Sequence, residues 1–204
     1  QTTRISSDSS GNQGNAHSVS PSISADGRYV AFSSGASNLV AGDTNDTSDV
    51  FLRDTQTSHT TRISTDSSGN QGNAYSSYPS ISANGRYVVF YSNASNLVAG
   101  DTNGKTEVFL RDVQTGQTTR ISVDSSGNQG NAYSGNPSIS ADGRYVAFLS
   151  YASNLVAGDT NGKADIFLRD TQTGQTTRIS SDSSGNQGNA YSSSPSISAD
   201  GRYV

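Results

Sequence analysis

Residues 21–34 read PSISADGRYVAFSS, and this stretch decides the fold. PSIS is short and small-residued. ADG at 25–27 carries the Asp-Gly signal of a tight hairpin. RYVAFSS then alternates, with Val30 and Phe32 on one face and Tyr29 and Ala31 on the other, the period of a strand rather than a helix. Outward from this hairpin come a long polar segment, GASNLVAGDTNDTS (35–48), the run DVFLRD (49–54), a short turn, TQTSH, and the run TTRIS (60–64). Val, Ile, Thr, Tyr and Phe dominate the alternating runs, as strands prefer. The unit is therefore four strands, A to D.

The unit repeats. TTRIS ends at Ser6, Ser64, Ser122 and Ser180, and PSISA starts at Pro21, Pro79, Pro137 and Pro195, a period of 58 residues each time. The chain holds three full copies, at about 21–64, 79–122 and 137–180, and a partial one from 194–204 with residues 1–6. A four-stranded antiparallel sheet of this size cannot bury both faces alone, and stacking each sheet on the next solves that problem. The expected fold class is all-β: a single β-propeller domain, or a fragment of one, built from four-stranded antiparallel blades. The small A strand suits a crowded centre, and the Arg/Thr-bearing D strand suits a solvated edge.

Composition narrows the function classes. The 204 residues are only 30% hydrophobic, with a formal net charge of -4. So polar a chain matches the signature of disorder, but its apolar residues fall in short alternating runs. No basic cluster exists, which argues against nucleic acid and anionic membrane surfaces as partners. There is no Cys, hence no disulfide framework or thiolate site. The longest apolar runs, such as YVVFY (87–91), are too short to enter a membrane as spans. No signal segment is visible, and Met is absent even at position 1, so the chain reads as a processed or excised piece. An extracellular, cell-surface or periplasmic location is the expectation.

The residues PSISADGRYVAFSS, DVFLRDTQT and TTRIS resemble the TolB-type propeller repeat, in which S-x-D-G-[RK]-x-[IV]-A-F leads to a D-[IV]-[FY] strand and then an [RQ]-[IL]-[ST] strand. The resemblance covers every copy; 83–90 and 141–148 repeat ADGRYVAF with Asn84 for Asp and Val89 for Ala in the former. It implies the propeller fold. The B–C segment is much longer than the short loop of that repeat, so the resemblance does not speak for it. The chain starts at strand D and stops at Val204, the counterpart of Val30. It is expected to be part of a longer array or to pair with another copy of itself.

In an antiparallel sheet successive connections alternate between edges. The short A–B and C–D turns then share one face, and the long B–C (35–48) and D–A (65–78) connections share the other. Loops on a rigid scaffold are where function concentrates. The B–C loops carry DTNDTSD (43–49), DTNGKTE (101–107) and DTNGKAD (159–165). Oxygen side chains at positions 1, 3 and 7 make Asp43, Asn45, Asp49, Asp101, Asn103, Glu107, Asp159, Asn161 and Asp165 candidate ligands for Ca2+, the one cofactor suggested. Position 5 lacks the usual acid, and Lys105 and Lys163 stand there instead. The missing ligands would come from backbone, water, or Asp66, Asn70 and Asn73. The competing reading is turn chemistry, since Asp-x-Asn-Gly forms Asx-turns without metal.

His17, Tyr75, Tyr133 and Tyr191 occupy one equivalent position before strand A. They either line a sugar or peptide site or pack over their own blades. Catalysis has little support: the two histidines, His17 and His59, are not equivalent, and no G-x-S-x-G or H-E-x-x-H appears. GNQGN (69–73) reads as a flexible connector, and Arg53–Asp54, Arg111–Asp112 and Arg169–Asp170 read as ion pairs at the blade edge. The expectation is a non-catalytic binding scaffold, with self-assembly into a dimer or polymer, or an accessory role in a larger secreted enzyme, as alternatives. Its partners would be other copies or a protein or glycan ligand.

Overall fold

The computed structural model describes residues 2–204. Twelve strands form three four-stranded antiparallel sheets. Blade 1 is β1 (Ser18–Ile23), β2 (Tyr29–Ser34), β3 (Asp49–Asp54) and β4 (His59–Arg62). Blade 2 is β5 (Ser76–Ile81), β6 (Tyr87–Ser92), β7 (Glu107–Asp112) and β8 (Gln117–Arg120). Blade 3 is β9 (Ser134–Ile139), β10 (Tyr145–Ser150), β11 (Asp165–Asp170) and β12 (Gln175–Arg178). Strand order within each sheet is sequential. No helix long and apolar enough to cross a membrane occurs among the described residues.

The innermost strand begins three residues earlier than PSIS suggests. Ser18 and Val19 pair with Ser34 and Ser33, the register then slips, and pairing resumes at Ser22 with Ala31. The residues before the prolines, Ser20, Tyr78, Asn136 and Ser194, all have positive φ, between 48° and 54°. Pro has no N–H to give the ladder, so the chain bulges there and continues.

The middle strands of each blade are covered on both faces, which is why they read as nearly unbroken apolar runs. Ala31, Leu52 and Ile63 of blade 1 pack with Ile81, Val88 and Phe90 of blade 2. Val89, Leu110 and Ile121 of blade 2 pack with Ile139, Val146 and Phe148 of blade 3. Within each blade two phenylalanines pair across the central strands, as in Phe32–Phe51 at 5.8 Å between ring centroids.

Backbone bonds also join the blades. Ala25 N donates to Ala83 O, Ala83 N to Ala141 O, and Ala141 N to Ala199 O, at 2.9–3.0 Å. The 194–204 segment lies against blade 3, with Ile197 N on Ser138 Oγ at 3.3 Å, whereas Ile5 packs on Phe32 and Phe51 of blade 1. Among the described residues these two segments form no strand and do not pair with each other. The propeller is an open arc.

The expected Arg53–Asp54 edge pairs do not form. Adjacent residues of a strand point to opposite faces, so each finds a different partner. Asp54 is gripped by Arg28, the residue before β2, Nη2 to Oδ2 at 2.7 Å, and Arg86–Asp112 and Arg144–Asp170 repeat the grip. Arg53 is buried and donates to Asp8 O at 2.8 Å and Thr60 Oγ1 at 2.9 Å. Arg111 and Arg169 hold Asp66 O and Asp124 O in the same way. Polar links of this kind supplement a core drawn from so few apolar residues.

Candidate functional site

The long loops of neighbouring blades are clasped together. GNQGN, expected to be a flexible connector, is ordered. Asp66 accepts from Ser68 N, Asn70 N and Asn70 Nδ2 at 2.8–2.9 Å. Asn73 N donates to Asn96 Oδ1, and Ser95 N donates back to Asn73 Oδ1, both at 2.9 Å. Asn15 with Asn38, and Asn131 with Asn154 and Ser153, repeat this D–A to B–C latch. Of the residues named as reserve calcium ligands, Asp66 and Asn70 are thus bonded to each other within the D–A loop, and Asn73 is engaged in the latch. Asx-type side-chain bonding produced the order.

The acidic loop closes over an arginine of its own blade. Asp49 is fully buried and accepts from Ser64 Oγ at 2.6 Å. Asn45 Nδ2 donates to Asp49 Oδ2 at 3.2 Å and to Gly72 O at 2.9 Å. Gln71 Nε2 donates to Asp43 Oδ1 at 2.9 Å and Asp49 Oδ2 at 3.2 Å. The Arg62 guanidinium lies 3.4 Å from Asp43 and 3.5 Å from Asp49.

Blade 2 repeats the cluster with Asn103 on Glu107 and Gly130 O, and with Arg120 2.6 Å from Glu107 and 3.6 Å from Asp101. Blade 3 does so with Asn161, Asp165 and Ser180, where Arg178 is 3.9 Å from Asp159. Burial raises the Asp49 carboxyl above its ordinary range despite Ser64 and Arg62, and pushes Glu107 up to about 7 against the pull of Arg120. Among the described residues, no three His, Cys, Asp or Glu side chains are grouped to hold a metal ion. Any calcium ion would share its carboxylates with a guanidinium less than 4 Å away.

Sequence reasoning named the loop acids and missed Arg62, Ser64 and Gln71, which complete the cluster. The available signal was their recurrence at the same 58-residue period in TTRIS and GNQGN.

The aromatic residues are not separate. Tyr75 and Tyr133 are joined by Tyr91, at 6.0 and 6.3 Å between centroids. Tyr78 stacks on Tyr91 at 5.5 Å. Tyr133 meets Tyr151 and Tyr151 meets Tyr191, each at 6.2 Å. The file crosses from blade 2 through blade 3 to the 191–204 segment. His17, at the same position in blade 1, is exposed, and its carbonyl accepts from Gly35 N. Tyr78 also borders a depression of about 390 Å3 where the four strained residue–proline pairs converge, from Ser20–Pro21 to Ser194–Pro195.

One contact resembles catalytic chemistry. Ser9 Oγ lies 3.1 Å from His59 Nδ1. The same serine oxygen accepts from Thr60 N at 3.0 Å, and Ser67 and Ser125 do the same for Thr118 and Thr176 with no histidine nearby in the repeat. Asp8, the adjacent acid, is bonded to Asn12. The serine is a repeated fastening for the outer strand.

No protein-family model matches the sequence, and neither does any curated protein. Solved structures do match the fold. TolB from Acinetobacter baumannii superposes with a TM-score of 0.56 at 21% identity, over 92% of this chain and 36% of its own. A putative TolB from Agrobacterium tumefaciens gives 0.53 at 18% identity, over 80% and 49%. A prolyl endopeptidase gives 0.55 at 14% identity, over 92% and 25%. The chain spans less than half the length of each. Together with the three stacked sheets, these likenesses show that the fold is that of a TolB-like β-propeller.

Proposed function

We propose that this chain is a rigid, non-catalytic scaffold that binds a macromolecule through its long-loop face, outside the cytoplasm. One observation carries this reading: the latched D–A and B–C loops make a single ordered surface, and exposed tyrosines run across it. The opposite face has only tight turns, and the cleft there between blades 2 and 3 is lined by Arg144 and Asp112, charges already held by Asp170 and Arg86. Preorganised surfaces bind with little ordering cost.

The acidic loops serve the scaffold. Their carboxylates are engaged by Arg62, Arg120 and Arg178, which favours arginine over Ca2+ as the balancing cation. The test of the binding reading places charges on one face at a time. Tyr151→Glu with Asn93→Glu alters the long-loop face; Gln114→Glu with Gln172→Glu alters the short-turn face. Immobilised protein is then challenged with cell-envelope extract. Retention lost only in the first variant supports the reading, and retention lost in the second instead overturns it.

A second reading, association between copies, has its own support. Val19 and Ile23 on the outer face of blade 1 are 46% and 61% exposed. Their counterparts Ser77 and Ile81 are buried against a neighbouring blade. Exposed apolar sheet faces invite partners. If copies associate there, Ile23→Asp lowers the mass measured in solution; an unchanged monomer mass for both proteins excludes it.

A further inference from the structure

We infer that Tyr78, Tyr75, Tyr91, Tyr133, Tyr151 and Tyr191 form a track for a neutral, linear polysaccharide. This rests on the long-loop face being the binding face and adds the class of ligand.

The tyrosines are contiguous. From Tyr78 the file steps to Tyr91, Tyr133, Tyr151 and Tyr191 at 5.5, 6.3, 6.2 and 6.2 Å. Half the set is well exposed: Tyr78 51%, Tyr151 48% and Tyr191 65%. Tyr91 and Tyr133 are half-buried beneath them.

The fold does not require Tyr78, Tyr91 or Tyr151, whereas Tyr75, Tyr133 and Tyr191 recur at one position of the repeat. Where blade 2 has Tyr91, blade 1 has Ser33 and blade 3 has Leu149. Where blade 3 has Tyr151, the others have Gly35 and Asn93. Tyr78 answers to Ser20, Asn136 and Ser194. The blades that lack them have the same four strands, so Tyr78, Tyr91 and Tyr151 are additions to the repeat. Tyr78 and Tyr151, exposed rings absent from the equivalent blades, point to a ligand, while Tyr91 and Tyr133 pack on the blade cores beneath them.

The shape and charge of the track select the ligand. The rings run in file over the surface, and Tyr78 borders a depression at one end. Such a track binds by stacking, not by enclosure. Three kinds of linear polymer have faces that stack. Single-stranded nucleic acid also needs a basic groove along its backbone, but this chain carries -4 and no basic cluster. Proline-rich peptides dock into aromatic-lined grooves, and a single file makes no groove.

Sugar rings remain, with apolar C–H faces for the aromatic plane and hydroxyls for the phenol tips. The loop acids Asp43, Asp101 and Asp159 are each held by an arginine. Lys163, 5.0 Å over the Tyr191 ring, is the charge in contact with the file. A largely uncharged track suits a neutral polymer.

The test is native gel electrophoresis of the whole chain in gels containing hydroxyethylcellulose, glucomannan, laminarin or dextran. Polygalacturonate, poly(dT) and polyproline serve as the contrasting probes. The chain has no Trp, so tyrosine emission gives a second readout. At least one neutral polysaccharide should retard the protein. Tyr151→Ala and Tyr191→Ala should each weaken binding by about 2- to 10-fold. Tyr203→Ala, an exposed tyrosine outside the file, should not. Circular dichroism melts confirm that each variant folds.

No retardation by any neutral polysaccharide, retardation unaffected by the two substitutions, or binding to poly(dT) or polyproline alone overturns the inference. Tyrosine-dependent retention of a protein without polysaccharide binding also overturns it, yet leaves the long-loop face as the binding face.

Discussion

The ring of Tyr29 lies where a side chain on Gly85 would have to go: a β-carbon there would overlap Tyr29 Cδ2 and Cγ. The Arg28 guanidinium sits over the same ring, 4.8 Å from its centroid, and is itself fixed by Asp54. The arginine of one blade, its tyrosine, and the turn glycine of the next blade thus form one stack. Tyr87 with Gly143 and Tyr145 with Gly201 repeat it.

This stack gives a controlled prediction. Gly27 and Gly85 have nearly the same backbone, φ +72° and +73°, but a β-carbon at Gly27 would meet nothing within 4 Å. Gly27→Ala should cost only the left-handed penalty, about 1–2 kcal/mol. Gly85→Ala should cost about 1–3 kcal/mol more, because the ring must move. Urea midpoints measure both, and equal losses would show that the Tyr29 contact contributes nothing.

The buried ion cluster of blade 2 should show the asymmetry of buried charge. Measured above pH 7, where Glu107 is ionised, Arg120→Ala leaves this carboxylate, 1% exposed, without its partner and should cost about 3–5 kcal/mol. Replacing both, Arg120→Met with Glu107→Leu, should cost far less. A double variant as unstable as the single one would mean that the pair itself, not the stranded carboxylate, holds the loop.

The pH dependence should run in two directions. The Arg28 side chain holds the Asp54 carboxyl well below its ordinary 3.8, and Arg86 and Arg144 do the same for Asp112 and Asp170. Stability from these pairs is present above pH 3.8 and is lost as pH falls through the lower folded values. Glu107 acts oppositely. Burial takes it from 4.5 to about 7, so the folded state keeps a proton that the unfolded chain has released. Its contribution is present below pH 4.5 and disappears as pH rises to about 7. The stability difference between the protein and its Glu107→Gln variant should therefore fall across that window. A flat difference from pH 4.5 to 7 would show that Glu107 is already ionised in the folded state.

These residues also show what could be read in advance. The blades were legible because period-2 alternation and a 58-residue spacing report backbone geometry directly: DVFLRD is β3 residue for residue. The early start of the inner strand was hidden because a non-glycine residue at positive φ before proline, such as Ser20, leaves no trace in hydropathy. The loop acids were visible as a motif, but Arg62 and Gln71 lie 13 and 22 residues from Asp49 in sequence, within reach of it only once the sheet and latch have formed. Tyr75, Tyr133 and Tyr191 were visible as equivalents and Tyr151 as a variable position of the same face, whereas Tyr91, which joins Tyr75 to Tyr133, breaks the repeat inside a strand.

Arginine in the acidic loops makes a last prediction about calcium. In the folded chain the guanidiniums of Arg62 and Arg120 lie within 4 Å of the carboxylates that a calcium ion would use. Adding chelator or millimolar calcium should leave the melting midpoint unchanged. Removing the guanidinium reverses the balance: in Arg62→Gln, Asp43 and Asp49 face each other without a cation. That variant should melt lower than the parent and recover part of the loss when calcium is added, because an ion that binds only the folded state stabilises it by mass action. If the parent chain itself melts lower in chelator, calcium and not arginine balances these loops.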